Sequence, residues 1–392
     1  MKSILNLGIV KVIRRETTRL AKSKVLLFAA IVAPLLSMFL IMGIFSEGVV
    51  HNLSVTIVDH DNSALSRKVA QLVDASPIAK VSKSFDIGDA HSQMKKGFTD
   101  AIIVLPNSFE RNAIKGNSPE IALYINNTNV IKGGLLYSGL YKTLATISGG
   151  LKVNVSVKKG LTEKQAVESA QPIRIDSHIL FNPFINYSYF LTLGLLPLML
   201  TILALLVSVY ALGFELKYGT AKELLDTADG SVTIALLGKM LPYTFLFFMH
   251  AMVMNLILFK ILGTPLMGSL TVLLFSELLL IITYQLLAIL FLNVTSNMRL
   301  SLSLGSAYTL MALTFAGVTF PTLGMPLLAK IFSWFFPYTY WIKIFLAQTV
   351  RNQPFHTTIP FFLILMLFII VSMFSFFGMK RKMSDSKYWG RS

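Results

Sequence analysis

The chain has 392 residues, of which 54% are apolar and only 14% charged, and it carries a formal net charge of +16. A soluble interior cannot hide that much apolar surface, so lipid must cover part of it, and the basic excess flanks apolar runs as membrane orientation requires, which excludes a nucleic-acid partner. The absence of cysteine excludes a disulfide framework, thiol catalysis and cysteine-ligated zinc or iron–sulfur centres.

Residues 1–24 come first and are strongly basic. Over Ile4–Leu20, Ile4, Leu5, Ile9, Val12 and Ile13 can share one helical face while Lys11, Arg14, Arg15 and Arg19 reach lipid phosphates. That pattern predicts an amphipathic helix lying in the membrane interface. Residues 25–45, Val25 to Phe45, form an uncharged stretch of about 31 Å as a helix, which matches the hydrocarbon core. The stretch is too long for the apolar region of a cleaved signal peptide and has no small-residue cleavage site, so it reads as an uncleaved first span.

Residues 46–188 turn soluble, with nearly balanced charge. Strands are predicted at Leu53–Val58, Ala79–Phe85, Ala101–Leu105 and Ile121–Ile125, and helices at Ser63–Asp74, Asp86–Phe98 and Asn107–Ile114. This βαβαβαβ order implies a small α/β domain, followed by a longer helix over Val130–Leu151. Asp59, His60 and Asp61 read as a polar turn after a strand rather than a metal site, because no second ligand cluster accompanies them.

Residues 189–378 hold the remaining spans, at Tyr189–Leu212, Ile234–Phe259, Leu270–Leu292, Ser301–Val318 and Ile359–Phe377. Between the second and third lies a loop, Gly213–Ser231, in which Thr220 and Glu223 have capping-box spacing and Leu224 and Leu225 give an apolar edge to a short amphipathic helix. Glu277 is the one carboxylate that falls inside a span. It must face protein or water rather than lipid, with Asn255, His250 and Lys260 on the preceding span as candidate partners, and Glu277 and Asn255 are the candidate substrate path. The aromatic stretch 320–345, interrupted by Pro321, Pro326 and Pro337, reads as a pair of short re-entrant or interfacial helices. Residues 379–392 form a second basic segment. Basic residues at both ends place both termini in the cytoplasm and require an even number of spans. The fold class is therefore an α-helical polytopic membrane protein with six transmembrane helices and an inserted extracytoplasmic α/β domain.

No phosphate loop, nucleophile elbow or proton-relay series accompanies these spans, so the chain is no enzyme and a partner must supply any energy. A receptor or envelope scaffold would also explain a large outer domain on a membrane body, but it gives no reason for the loop at Glu215–Leu225. That loop resembles the E-x-E-x-G-T-x-E-x-L-L stretch of the type 2 class of bacterial ABC exporter permeases, a multidrug and export type of membrane subunit. Gly238-Lys239-Met240-Leu241-Pro242 resembles the G-K-x-L-P that follows it. Phe181-Asn182-Pro183, Thr319-Phe320-Pro321, Met325-Pro326 and Phe336-Pro337-Tyr338-Thr339 are similar to further motifs of the class, and the likeness covers essentially the whole chain. Lys217 stands where a carboxylate is common there and Ala228 where proline is common.

The resemblance implies a permease in the bacterial inner membrane that pairs with a second permease subunit, alike or different. Each would dock a cytoplasmic ABC ATPase, with ATP and Mg bound on that partner and no cofactor in this chain. It implies an ATPase-docking surface at Glu215, Lys217, Gly219, Thr220, Lys222, Glu223 and Leu224, with a surface helix over Glu215–Thr227. The outer domain would receive substrate or meet a periplasmic adaptor protein, and membrane lipid would contact the basic first helix.

Overall fold

A computed structural model describes residues 2–48, 50–170, 180–182 and 186–390, with side chains from Gly8 onward except that of Tyr187. Pro183 of the motif before the second span, and the side chains of Ile4 and Leu5, lie outside this description. The chain forms two compact units, one from Glu47 to Ile185 and the other from Met1–Ser46 together with Asn186–Ser392.

The larger unit opens with helix α1 (Lys2–Lys22). Ser23 ends it and caps the next helix, its Oγ accepting the Leu26 N–H at 3.3 Å. Helix α2 (Lys24–Ile44) is apolar throughout and loosens into a π turn at Phe28–Val32, just ahead of Pro34. Proline has no N–H and its ring crowds the carbonyl four residues back, so the hydrogen-bond ladder widens there.

The unit Glu47–Ile185 is an α/β layer. Strands β1 (Leu53–Asp59), β2 (Ala79–Ser84), β3 (Ala101–Leu105) and β4 (Ala122–Ile125) form one sheet in the order β2-β1-β3-β4. The first three strands are parallel and β4 runs antiparallel to β3. The central strands β1 and β3 are buried along most of their length because helices cover both faces, and β3 is apolar throughout. Between the strands lie α3 (Ala64–Asp74), α4 (Ile87–Lys95) and α5 (Phe109–Lys115). Helix α6 (Val130–Lys158) follows and runs seven residues past its expected end, and α7 (Glu163–Ala170) packs beside it. Leu144 of α6 lines a cleft of about 210 Å³ with Phe109 and Ala113 of α5, and Thr143 lines one of about 560 Å³ with Leu65 and Val69 of α3. Asp59 accepts the N–H groups of Asp61 and Asn62 and the Ser66 hydroxyl, and Asp61 accepts the N–H of Glu110. The acidic turn thus ties itself to the starts of α3 and α5, and no metal-holding cluster occurs among the described residues.

The larger unit resumes with α8 (Tyr187–Lys217), α9 (Ala221–Thr227), α10 (Val232–Ile261), α11 (Leu270–Thr295) and α12 (Met298–Phe315). It ends with α13 (Leu327–Ser333), α14 (Pro337–Thr349) and α15 (Phe355–Ser384). Among the described residues five helices are long and apolar enough to cross a membrane: α2, α8, α10, α11 and α15. Helix α12, on the expected span Ser301–Val318, has 18 residues, carries Arg299 and three serines, and falls outside that group. It lies antiparallel along α8, where Gly213 meets Met298, Gly305 meets Leu205 and Gly194 meets Val318. Glycines at these crossings let the two backbones approach closely.

Helices α13 and α14 are the short pair expected at 320–345, although α14 continues to Thr349. The α14 helix is buried and tied to its neighbours: the Trp341 indole N–H donates to Ser276 Oγ at 3.1 Å, and the Tyr338 hydroxyl donates to the Gly194 carbonyl at 2.5 Å. Both terminal segments pack on the region joining α8 to α10, with Gly8 against Asp229 and the Gly390 N–H donating to the Leu216 carbonyl.

Candidate functional site: a buried ion cluster at the α8–α9 turn

In α1 every fourth residue, Gly8, Val12, Glu16 and Leu20, is buried. Spacing of four keeps these positions on one face, and that face is pressed onto α10. The contact is close because it is built on glycine: a Cβ on Gly238 would lie 2.9 Å from Cβ of Val12, and one on Gly8 would lie 2.7 Å from Oδ2 of Asp229.

The same packing brings Glu16 to Lys239. Lys239 is fully buried, and its ammonium donates to Glu16 Oε2 at 2.5 Å and to Glu215 Oε1 at 2.8 Å. The Tyr243 hydroxyl donates to Glu16 Oε1 at 2.6 Å. Glu215, also fully buried, receives a bidentate pair from Arg15 at 2.9 and 3.0 Å, a bond from Arg19 at 2.6 Å, and the Thr220 hydroxyl. Arg19 also donates to the Ala211 carbonyl and lies over the Phe214 ring. At the rim, Arg15 Nε meets Glu223 at 3.4 Å. Burial opposes the charge on Arg15, but the adjacent Glu215 outweighs it and the guanidinium pKa rises above its ordinary value. Three cations (Arg15, Arg19, Lys239) thus face three carboxylates (Glu16, Glu215, Glu223). Charges this deep are tolerated only when each is paired and hydrogen-bonded.

This geometry corrects several sequence expectations. Glu215 cannot touch a docking partner, because it is enclosed by α1 and α10, and Leu224 is buried as well. The capping box does not form: Thr220 makes no side-chain cap and gives its hydroxyl to Glu215 instead. The surface helix shrinks to Ala221–Thr227, since Glu215 and Lys217 belong to α8. Arg15 and Arg19 turn inward to carboxylates rather than outward to lipid phosphates.

What faces outward is a rim of Lys217, Tyr218, Gly219, Lys222, Glu223 and Asp226, all partly or fully exposed. Gly219 has φ +71°, the left-handed conformation that closes α8 and aims the chain into α9. Sequence reasoning missed Lys239 and Tyr243 as partners of α1. The available signals were a single acid in a basic helix and a lone lysine early in an apolar run.

The second candidate pair does meet. The Asn255 amide donates to Glu277 Oε2 at 2.9 Å, and both side chains are buried. Glu277 Oε1 and Asn255 Oδ1 accept nothing among the described residues. His250 is held elsewhere, by the carbonyls of Leu246 and Ile31.

A bundle of long apolar helices, with its first helix and one inter-helix turn locked together by buried ions, is the architecture of a multi-pass membrane protein. Residues 24–377 match the family model described as ABC-2 family transporter protein, so the chain belongs to the ABC-2 transporter family. It is 22% identical over 377 residues, covering 93% of each chain, to the probable multidrug ABC transporter permease YbhS of Escherichia coli (strain K12). It is equally similar to the protein of that name from Escherichia coli O157:H7.

Proposed function

We propose that this chain is the membrane half of an ATP-driven exporter that moves small molecules or lipid-like compounds out of the cytoplasm or inner membrane. ATP and Mg bind a separate cytoplasmic ATPase subunit, and two permease subunits pair. The observation that carries this reading is the exposed rim at Lys217–Asp226, seated directly on the neutral ion cluster. An ATPase pressing on that rim pushes on Thr220 and Glu223, and through them on Glu215 and Arg15. Because Lys239 joins Glu215 to Glu16, movement of α9 reaches α1, α8 and α10 together.

In this reading α12 also crosses, as the fifth of six spans in chain order, because it runs antiparallel along α8. Six crossings put both basic ends in the cytoplasm and the unit Glu47–Ile185 outside, where its two clefts beside α6 are open to substrate or to an adaptor protein. Co-purification of the detergent-extracted chain, followed by an ATPase assay, tests the assignment. A stoichiometric ATPase is the expected result, and a chain that extracts alone and hydrolysis-free from cells expressing its neighbouring genes would refute it.

Glu277 and Asn255 are assigned to the substrate path. Their spare acceptor oxygens suit the N–H groups of a cationic or polar cargo. Glu277→Gln is expected to leave assembly intact and to reduce efflux of a cationic dye about tenfold, the size of one lost charge-assisted contact. Unchanged efflux of every cationic dye tried would remove Glu277 from the path.

A further inference from the structure

The basic C-terminal segment folds back onto the turn that carries the docking rim. Beyond α15, Asp385 accepts the Lys387 N–H at 2.9 Å and starts a tight turn over Ser386–Tyr388. That turn delivers Trp389, whose indole N–H donates to the Lys382 carbonyl at 3.1 Å. Gly390 then donates its N–H to the carbonyl of Leu216 at 3.1 Å. Leu216 lies in the last turn of α8, where carbonyls have no partner within the helix. The Trp389 ring lies against Gly219, with Cε3 at 3.4 Å from where a Cβ would stand. Lys382, at the base of the turn, donates to the Asn293 carbonyl of α11.

We propose that Trp389 is a positioning residue for ATPase docking, and that the C-terminal segment is a clamp fixing the direction in which Tyr218, Lys222 and Glu223 face the ATPase. Three constraints then hold this short turn: Glu215 through Thr220, Arg15 through Glu223, and the clamp through Gly219 and Leu216. The first two act from the bundle side. The clamp covers the side-chain position of Gly219, the left-handed residue at which the chain changes direction. This inference rests on the exporter reading, since it concerns the same rim.

The test uses the full-length chain in detergent and the ATPase recovered with it. Trp389→Ala is expected to weaken ATPase binding about tenfold, equivalent to about 1.4 kcal/mol, while its thermal midpoint stays at the wild-type value. Trp389→Phe keeps a ring against Gly219 and gives up the bond to Lys382, and it is expected to bind like wild type. Wild-type affinity in Trp389→Ala overturns the clamp. So does a loss of affinity that only tracks a lowered midpoint and is not restored by phenylalanine. If the wild-type chain binds no ATPase, the exporter reading itself falls and takes this inference with it.

Discussion

Glu215→Ala is expected to cost about 3–5 kcal/mol, the range measured when one partner of a buried ion pair is removed. The substitution deletes the acceptor shared by Arg15, Arg19, Lys239 and Thr220. Three cations would then face Glu16 and Glu223 alone, and Lys239, with no solvent to turn to, would keep only Glu16. Such a loss is a large part of a typical margin of about 5–15 kcal/mol, so the monodisperse fraction should fall and the thermal midpoint drop by several degrees. The readouts are the monodisperse fraction and the thermal midpoint in detergent. Glu215→Gln retains one acceptor oxygen and should fall less. Glu223→Ala removes only the exposed rim contact and should change stability by about 0–1 kcal/mol. Equal midpoints for Glu215→Ala and Glu223→Ala would show that the cluster does not hold the bundle together.

Gly219→Val should give the opposite profile: normal insertion and a stably folded bundle, with export impaired per ATP hydrolysed by the ATPase that still binds. At φ +71° a side chain costs about 1–3 kcal/mol, and a β-branched one sits at the high end. The strain falls on a turn at the edge of the bundle, so it is relieved by reorienting α9 rather than by unfolding. Reorienting α9 moves Lys222 and Glu223, the groups that would face the ATPase. Reconstituted with its ATPase, Gly219→Val should export at least about tenfold less dye per ATP hydrolysed, by the equivalence of 1.4 kcal/mol to a factor of ten. A wild-type ratio of export to hydrolysis would disprove the role of this turn.

The secondary structure of the α/β unit was legible because its strands are short β-branched segments, alternating in Leu53–Asp59 and continuously apolar in Ala101–Leu105, bounded by polar turns. The long apolar helices announced themselves by length. The ion cluster was much harder to read, because Arg15, Glu16, Glu215 and Lys239 span more than two hundred residues and no local spacing relates them. Thr220 was misread for a related reason. Its spacing to Glu223 fits a capping box, but a buried carboxylate lacking water competes for the hydroxyl more strongly than a solvated backbone N–H does. Helix α12 is weakly apolar because Arg299 and three serines interrupt it, while its one glycine, Gly305, lets it close on Leu205 of α8.

The placement of Lys239 also bears on how the protein is made. The lysine lies roughly 10 Å into α10 at 1.5 Å per residue, and a lysine at mid-membrane costs about 2.5–3.5 kcal/mol on insertion scales. Its two carboxylate partners, Glu16 and Glu215, both leave the ribosome before it does. The nascent chain therefore has its counter-charges in place when the third span enters the bilayer, and the lysine can be neutralised as it arrives. Without the first helix, Lys239 would enter the membrane with Glu215 alone, one of its two counter-charges missing from the start.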